Sequence, residues 1–286
     1  MSKQIIKYQW IALKIPGSSQ EFKLVGLAGD RSVLSSVEKA GIWEPHVMNV
    51  LADIIQPTDV CLDVGANIGI YTIFLCQLAE HVVAFEPSNI TVDCLAKNVS
   101  ANALENARVV RCAIGSIQET KTFVHLLELP GCSFVNEQDN PEAVQKFWGR
   151  DLERVEETVQ IETLDGWLST HGENRVDFVK MDVEGSEVNA IQGGWETFSK
   201  QKPKLAIEFN RRALAEKNGV DPRLLYDQLV ELYDYVYVLQ PGKAKPPTRV
   251  ISYEELLGHL PDSRFWADLL CLNQPLEDVP RRSVQR

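Results

Sequence analysis

The strongest constraint on this chain is the stretch 59–84, D-V-C-L-D-V-G-A-N-I-G-I-Y-T-I-F-L-C-Q-L-A-E-H-V-V-A, followed at once by Phe85, Glu86 and Pro87. Val60–Val64 is short, apolar and partly β-branched, and Gly65 stops it, which predicts a buried strand. Asn67-Ile68-Gly69 then turns the chain into an apolar helix. Gly65 and Gly69 carry no Cβ, so backbone N–H groups at such a turn can approach a ligand closely. A second apolar run, His81–Phe85, leads into Glu86. In a βαβ unit that spacing sets Glu86 where a ribose diol would lie, its two oxygens accepting the two hydroxyl protons.

The glycine pattern selects among nucleoside ligands. A dinucleotide fingerprint reads G-x-G-x-x-G, whereas 65–69 has two glycines, with Asp63 two residues before the first. Asp63 would repel a pyrophosphate and attract the sulfonium and ammonium of S-adenosylmethionine. The alternatives are a dinucleotide and a purely structural strand–turn–helix.

With 286 residues, 44% hydrophobic and 24% charged, the chain can build a full core. No apolar run approaches the ~20 residues of a membrane span. The N-terminal M-S-K-Q-I-I-K-Y-Q-W is interrupted by Lys and Gln and does not fit a signal peptide, so a cytoplasmic location and no membrane partner are expected. A net charge of −11 argues against a nucleic-acid partner, which needs a basic surface. The six cysteines form no C-x-x-C pair and are read as buried free thiols.

Further along, apolar strands alternate with amphipathic helices, the pattern of a mostly parallel sheet with helices on both faces. Strands are expected at 59–64, 81–86, 107–112, 176–182, 203–209, 234–239 and 267–272, and helices near 69–80, 89–102, 186–200 and 221–232. Residues 1–55 read as an N-terminal cap packed on a domain spanning 56–286. Within it, 115–168 is an insertion after the third strand, too long for a simple crossover. Its segments 120–127 and 158–163 alternate like an antiparallel pair, and Phe134, Phe147, Trp148 and the charged run 151–157 lie between them. Either it walls a substrate site or it is a solvated decoration. The basic, proline-rich 241–247 reads as a surface loop.

Two further strand ends carry acids. D-F-V-K-M-D-V-E-G-S-E at 177–187 ends a strand in Asp182, with Glu184 in the turn and Ser186 suited to a helix N-cap. I-E-F-N at 207–210 puts Glu208 and Asn210 at the next strand end. Neighbouring strand ends share one crevice, so these groups converge.

Together, L-D-V-G-A-N-I-G at 62–69, F-E-P at 85–87, A-I-G at 113–115, L-D at 164–165, the 177–187 run and I-E-F-N resemble the FkbM family of S-adenosylmethionine-dependent methyltransferases, over about residues 40–275. The resemblance implies a Rossmann-like class I methyltransferase with a seven-stranded sheet, and O-methylation of a hydroxyl on a sugar, polyketide or other secondary metabolite. It implies that Asp63, Gly65, Ala66, Asn67 and Gly69 hold the methionine moiety and Glu86 the ribose. Pro87 and Ser88 would shape the adenosine side, and Ala113 and Ile114 would lie against adenine.

An aliphatic hydroxyl does not ionise alone near pH 7, so a base must take its proton. Candidates are Asp182, Glu184 and Glu208, with cofactor contact by Asp182 and a solvated helix-start role for Glu184 as the plainer readings. Lys180 is read as structural. A magnesium ion on Asp182, Glu208 and Asn210 is the unfavoured alternative, with no metal site assigned. His125 is a base candidate that more simply packs. The other functional readings are an N-methyltransferase acting on an amine and a non-catalytic scaffold that binds the donor. The acceptor is a small molecule or glycoside, and homo-oligomerisation is left open.

Overall fold

The computed structural model describes residues 7–138, 142–149, 152–241, 245–260 and 264–282. The N-terminal M-S-K-Q-I-I, Asp151 of the charged run and residues 242–244 of the basic loop lie outside them.

The chain opens with an antiparallel hairpin, β1 (Tyr8–Lys14) and β2 (Glu21–Leu27), followed by α1 (Leu34–Ala40) and α2 (Pro45–Ile54). β3 (Val60–Val64), α3 (Ile70–Cys76), β4 (His81–Phe85), α4 (Asn89–Ala101) and β5 (Ala107–Val110) form the first βαβαβ unit. An accessory sheet follows: β6 (Ala113–Ile114), β7 (Glu119–Leu126), β8 (Phe134–Val135), α5 (Ala143–Trp148) and β9 (Arg154–Glu162), in strand order β6-β9-β7-β8. Then come α6 (Leu164–His171), β10 (Phe178–Met181), α7 (Glu187–Gly193), α8 (Trp195–Gln201) and β11 (Lys204–Asn210). α9 (Pro222–Leu232), β12 (Tyr235–Leu239), β13 (Thr248–Val250), α10 (Tyr253–Gly258) and β14 (Trp266–Leu272) follow.

The main sheet is mixed and has eight strands in the order β13-β12-β14-β11-β10-β3-β4-β5. All seven expected strands are in it. The expectation of seven fails because Thr248–Val250 adds an antiparallel edge beside β12, a run of three residues too short to read as a strand. β3, β4, β5, β10 and β11 are mutually parallel, while β14 runs against both β11 and β12.

The expected helix 186–200 is two helices, α7 and α8, broken at Gly193-Gly194. A Cβ on Gly193 would stand 1.9 Å from the Gly115 carbonyl oxygen, so the close approach of the accessory sheet's first strand selects glycine there. The expected antiparallel pair in the insertion is present as β7 and β9, whose register runs from Glu119 opposite Ile161 to Leu126 opposite Arg154.

Alternation along the strands divides the core. Leu62, Val64, Val179, Met181, Leu205 and Ile207 pack on the face covered by α6, α7, α8 and α9. Cys61, Phe178, Ala206 and Leu270 pack on the face covered by α2, α3 and the N-terminal hairpin. Two residues further toward the carboxyl edge, this second face turns from apolar to charged: Asp63 is opposite Lys180, and Glu208 is opposite Asp268. The period of two thus sets a band of ionisable groups beneath the N-terminal segment. Among the described residues no helix is long and apolar enough to cross a membrane.

Candidate active site

A cavity of about 480 Å³ opens at the carboxyl edge of the parallel strands, within the size range of small-molecule sites. The first βαβ unit lines one side with Asp63, Gly65, Ala66, Asn67, Glu86 and Pro87; Ala113 and Ile114 add the start of the accessory sheet. Asp182, Glu184 and Glu208 line the opposite side. Of the site residues expected from sequence, Gly69 and Ser88 do not line it. Gly69 caps α3 with φ 89° and lies against Leu95. Ser88 caps α4 through Ile90 N–H and donates to Glu157 Oε1 at 2.6 Å.

The glycine loop is closed on itself. Gly65 and Ala66 N–H donate to the Phe85 carbonyl, Asn67 N–H to Glu86 Oε2, Ile68 N–H to Asn67 Oδ1 and Gly69 N–H to the Ala66 carbonyl. The amides are therefore committed inside the protein and form no anion cradle, a correction to the expectation that they approach the ligand. Gly65 is required for a different reason: with φ 82°, its Cβ would lie 1.9 Å from the Asp182 carbonyl oxygen. Its absence lets the ends of β3 and β10 meet.

Glu86 organises this loop. Oε2 accepts from Asn67 N–H at 2.9 Å, and Oε1 from Ser88 N–H at 3.1 Å and Thr91 Oγ1 at 2.6 Å. A carboxylate offers about four acceptor sites, so one remains toward the cavity. Burial pushes the carboxyl up to about 7 despite these bonds. Burial likewise lifts Asp63 to about 6, opposed by the Thr72 hydroxyl bonded to it at 2.5 Å and by Lys180.

The opposite wall is a cluster of acids. One carboxylate oxygen from each of Asp182, Glu184 and Glu208 can lie within 4.8 Å of the others. Lys180, buried in β10, has Nζ 3.4 Å from Asp182 Oδ2 and sits 4.9 Å from the centre of the Tyr71 ring. Lys217, also buried, donates to Glu184 Oε2 at 2.7 Å and to the Cys132 carbonyl. Glu184 is thus a partly buried ion-pair partner and not a solvated helix-start acid, and its backbone is left-handed at φ 55°, a conformation that functional turns retain at a cost. Lys217 lies in a π-helical turn, Ala213–Lys217, a geometry that recurs at functional sites.

Of the set expected for magnesium, Asp182 and Glu208 do come together, with Glu184 as their third acid, while Asn210 is engaged elsewhere. Asn210 Oδ1 accepts from Ala213 N–H, and its amide nitrogen faces Glu208 at 3.3 Å. The lysine ammonium groups already neutralise two of the three acids. His125 is placed away from the cavity lining: Nδ1 meets Ser88 Oγ at 3.1 Å, Nε2 is buried without a partner among the described residues, and burial lowers its pKa to about 4. Ser186 occupies the N-cap of α7 without a side-chain cap bond; Glu187 accepts from Val183 and Gly185 N–H in its place.

Sequence reasoning missed Glu44, Tyr71, Trp266 and Lys217, while Lys180, read as structural and able to pair with a neighbouring acid, does pair with Asp182. Glu44 lines the cavity from the start of α2, accepts the Tyr71 hydroxyl at 2.6 Å, and is raised by burial and by Asp268 to about 8. Its only sequence signal was its position before Pro45, a helix-start pattern that says nothing of tertiary neighbours. Trp43 and, from the insertion, Phe123 and 130–133 also line the cavity.

Burial of so many acids against few cations fits a positively charged nucleoside ligand better than a phosphate-bearing one. An α/β sheet with an acidic, nucleoside-sized cavity at the strands' carboxyl ends defines a small-molecule-binding α/β protein. The chain belongs to the methyltransferase FkbM domain family, whose sequence profile matches residues 63–239. Methyltransferase sdnD of Sordaria araneosa is 30% identical over 153 residues, covering 46% of this chain and 59% of that protein, so the chain spans about six-tenths of that relative's length. The hexuronic acid methyltransferase AglP of Haloferax volcanii is 29% identical over 195 residues, 64% of this chain and 72% of that protein. Among solved structures, methyltransferase FkbM from Methylobacillus flagellatus is 18% identical with a TM-score of 0.46, covering 76% of this chain and 44% of the other.

Proposed function

We propose that the protein is an S-adenosylmethionine-dependent O-methyltransferase acting on a hydroxyl of a small molecule, sugar or secondary metabolite. The observation that carries this is the excess of carboxylates over lysines on one cavity wall, which suits a cationic donor beside a proton-bearing acceptor. Asp63 and Asp182 are the groups suited to the donor's methionine end, with the 65–67 turn as the cavity wall between them. Glu86, with one acceptor site left, suits a ribose hydroxyl, and Pro87, Ala113 and Ile114 offer apolar contact to adenine. Bound there, the donor supplies a methyl group already activated by positively charged sulfur.

The chain's own task is then to align the acceptor and take its proton. Asp182 and Glu184 are each held by a lysine, whereas Glu208 has a neutral amide as its side-chain partner and is raised by burial, which suits Glu208 to take the proton. The described part of the N-terminal segment, 7–55, would act as a cap and the insertion as an acceptor wall, since Trp43 and 130–133 line the same cavity. A sugar acceptor is favoured by the likeness to the Haloferax hexuronic acid enzyme. A cytoplasmic setting accords with six free thiols.

The test is formation of S-adenosylhomocysteine with a panel of glycosides, hexuronic acids and other hydroxylated acceptors, followed by pH–rate profiles of Glu208→Gln and Asp182→Asn. Glu208→Gln is expected to lower kcat at least ~100-fold while donor KM changes only a few-fold. Equal rates in wild type and Glu208→Gln would remove Glu208 as the base, and no product with any acceptor would count against the enzyme reading.

A further inference from the structure

Glu208 differs from its neighbours in what touches it. Lys180 stands 3.4 Å from Asp182 and Lys217 stands 2.7 Å from Glu184, while Glu208 has the Asn210 amide at 3.3 Å. Directly across the antiparallel β11–β14 pair lies Asp268, itself bonded to His46 at 3.1 Å. Glu187, at the start of α7, adds another acid within reach of its charge. The cations whose fields reach Glu208 are Lys180, Lys217 and Arg264, and the Cys132 thiol faces it from the insertion. Each lysine is bonded to another carboxylate, and Arg264 stacks on Trp266 at 3.8 Å.

Clustered with Asp182 and Glu184, opposite Asp268 and bonded only to a neutral amide among the described residues, the Glu208 carboxyl is held by burial and by these charges well above the usual carboxylate range, which favours its protonated form. A protonated carboxyl cannot act as a base. A cation brought into the crevice reverses this, because an opposite charge nearby favours the ionised form.

Resting on the methyl-donor reading above, we propose that entry of a sulfonium-bearing donor drives the proton off Glu208, and that Glu208 regains a proton from the acceptor hydroxyl during transfer. In that step the acceptor O–H bond breaks and its proton goes to Glu208. The acceptor oxygen bonds the methyl carbon, and the carbon–sulfur electron pair stays on sulfur. One positive charge on sulfur and one negative charge on Glu208 vanish together, so the crevice keeps the same net charge from bound donor to bound product. The base is active only when the donor is present, and the neutral product leaves it reset.

Calorimetric titration of the protein with S-adenosylmethionine and with S-adenosylhomocysteine, each in phosphate and in Tris at pH 7.5, reads the protons released. The sulfonium ligand is expected to release about one more proton than the thioether, and Glu208→Gln to abolish that difference while both ligands still bind. Equal proton counts in the wild type, or a difference that survives in Glu208→Gln, would overturn the proposal. If that variant does not fold, the wild-type affinity ratio of the two ligands serves: it should rise up to about tenfold per pH unit between the two pKa values of Glu208, and a flat ratio would overturn the proposal. Failure of both ligands to bind would overturn the donor reading and this proposal with it.

Discussion

Gly65 shows how a single missing carbon sets the site. Its left-handed backbone and its closeness to the Asp182 carbonyl let two strand ends touch, which brings Asp63 and Asp182 to one cavity. Gly65→Ala is expected to cost on the order of 3 kcal/mol in denaturant unfolding, from a left-handed non-glycine residue plus a backbone collision. Lys217 carries a charge-dependent role. Lys217→Met leaves the partly buried Glu184 without its cation, a change worth up to roughly 3 kcal/mol. Because burial raises the Glu184 carboxyl, the loss should be largest near pH 8 and shrink toward pH 5, as acid favours the uncharged form. Unfolding of the variant at the two pH values checks this; an equal loss at both would show that the ammonium's charge is not what matters.

At the scale of elements, stability is graded from the centre of the main sheet to the edges of both sheets. β3 and β10 are paired on both sides by parallel strands, whereas among the described residues β8 of the accessory sheet and β13 of the main sheet hold two and three residue pairs on one side only. Hydrogen exchange should therefore be at least ~100-fold faster in β8 and β13 than in β3 and β10, where amides open only with global unfolding. The β7–β9 pair was legible in sequence because alternation survives across the insertion. The break between α7 and α8 was not, because it is imposed by the Gly115 carbonyl, 78 residues earlier in the chain.

Across the whole molecule, stability should depend on pH through the cavity acids. Burial raises Asp63 to about 6, Glu86 to about 7 and Glu44 to about 8, all above their unfolded values. A raised carboxyl pKa means that the folded state binds the proton more tightly. The stabilisation is therefore complete below the ordinary carboxylate range and is lost as pH climbs from about 4 through 8. The ligand-free melting temperature should fall between pH 5 and 8.5, and S-adenosylmethionine should raise it more at the alkaline end, where its charge offsets ionised acids. Thermal melts across that range check both statements, and a melting temperature that climbs with pH would contradict the first.

The sequence by itself determined the alternation of strands and helices, the turn after β3 and the acids at three strand ends, because these depend on local periodicity and on glycine punctuation. It also identified Asp63, Glu86, Asp182, Glu184 and Glu208, which all line one cavity. Only the tertiary structure decided what each acid would be. Lys180 and Lys217 neutralise two of them, Asn67, Ser88 and Thr91 engage a third, and Glu208 is left opposite Asp268. A carboxylate's proton affinity follows from burial and from charges a few ångströms away, and those neighbours come from segments far apart in the chain.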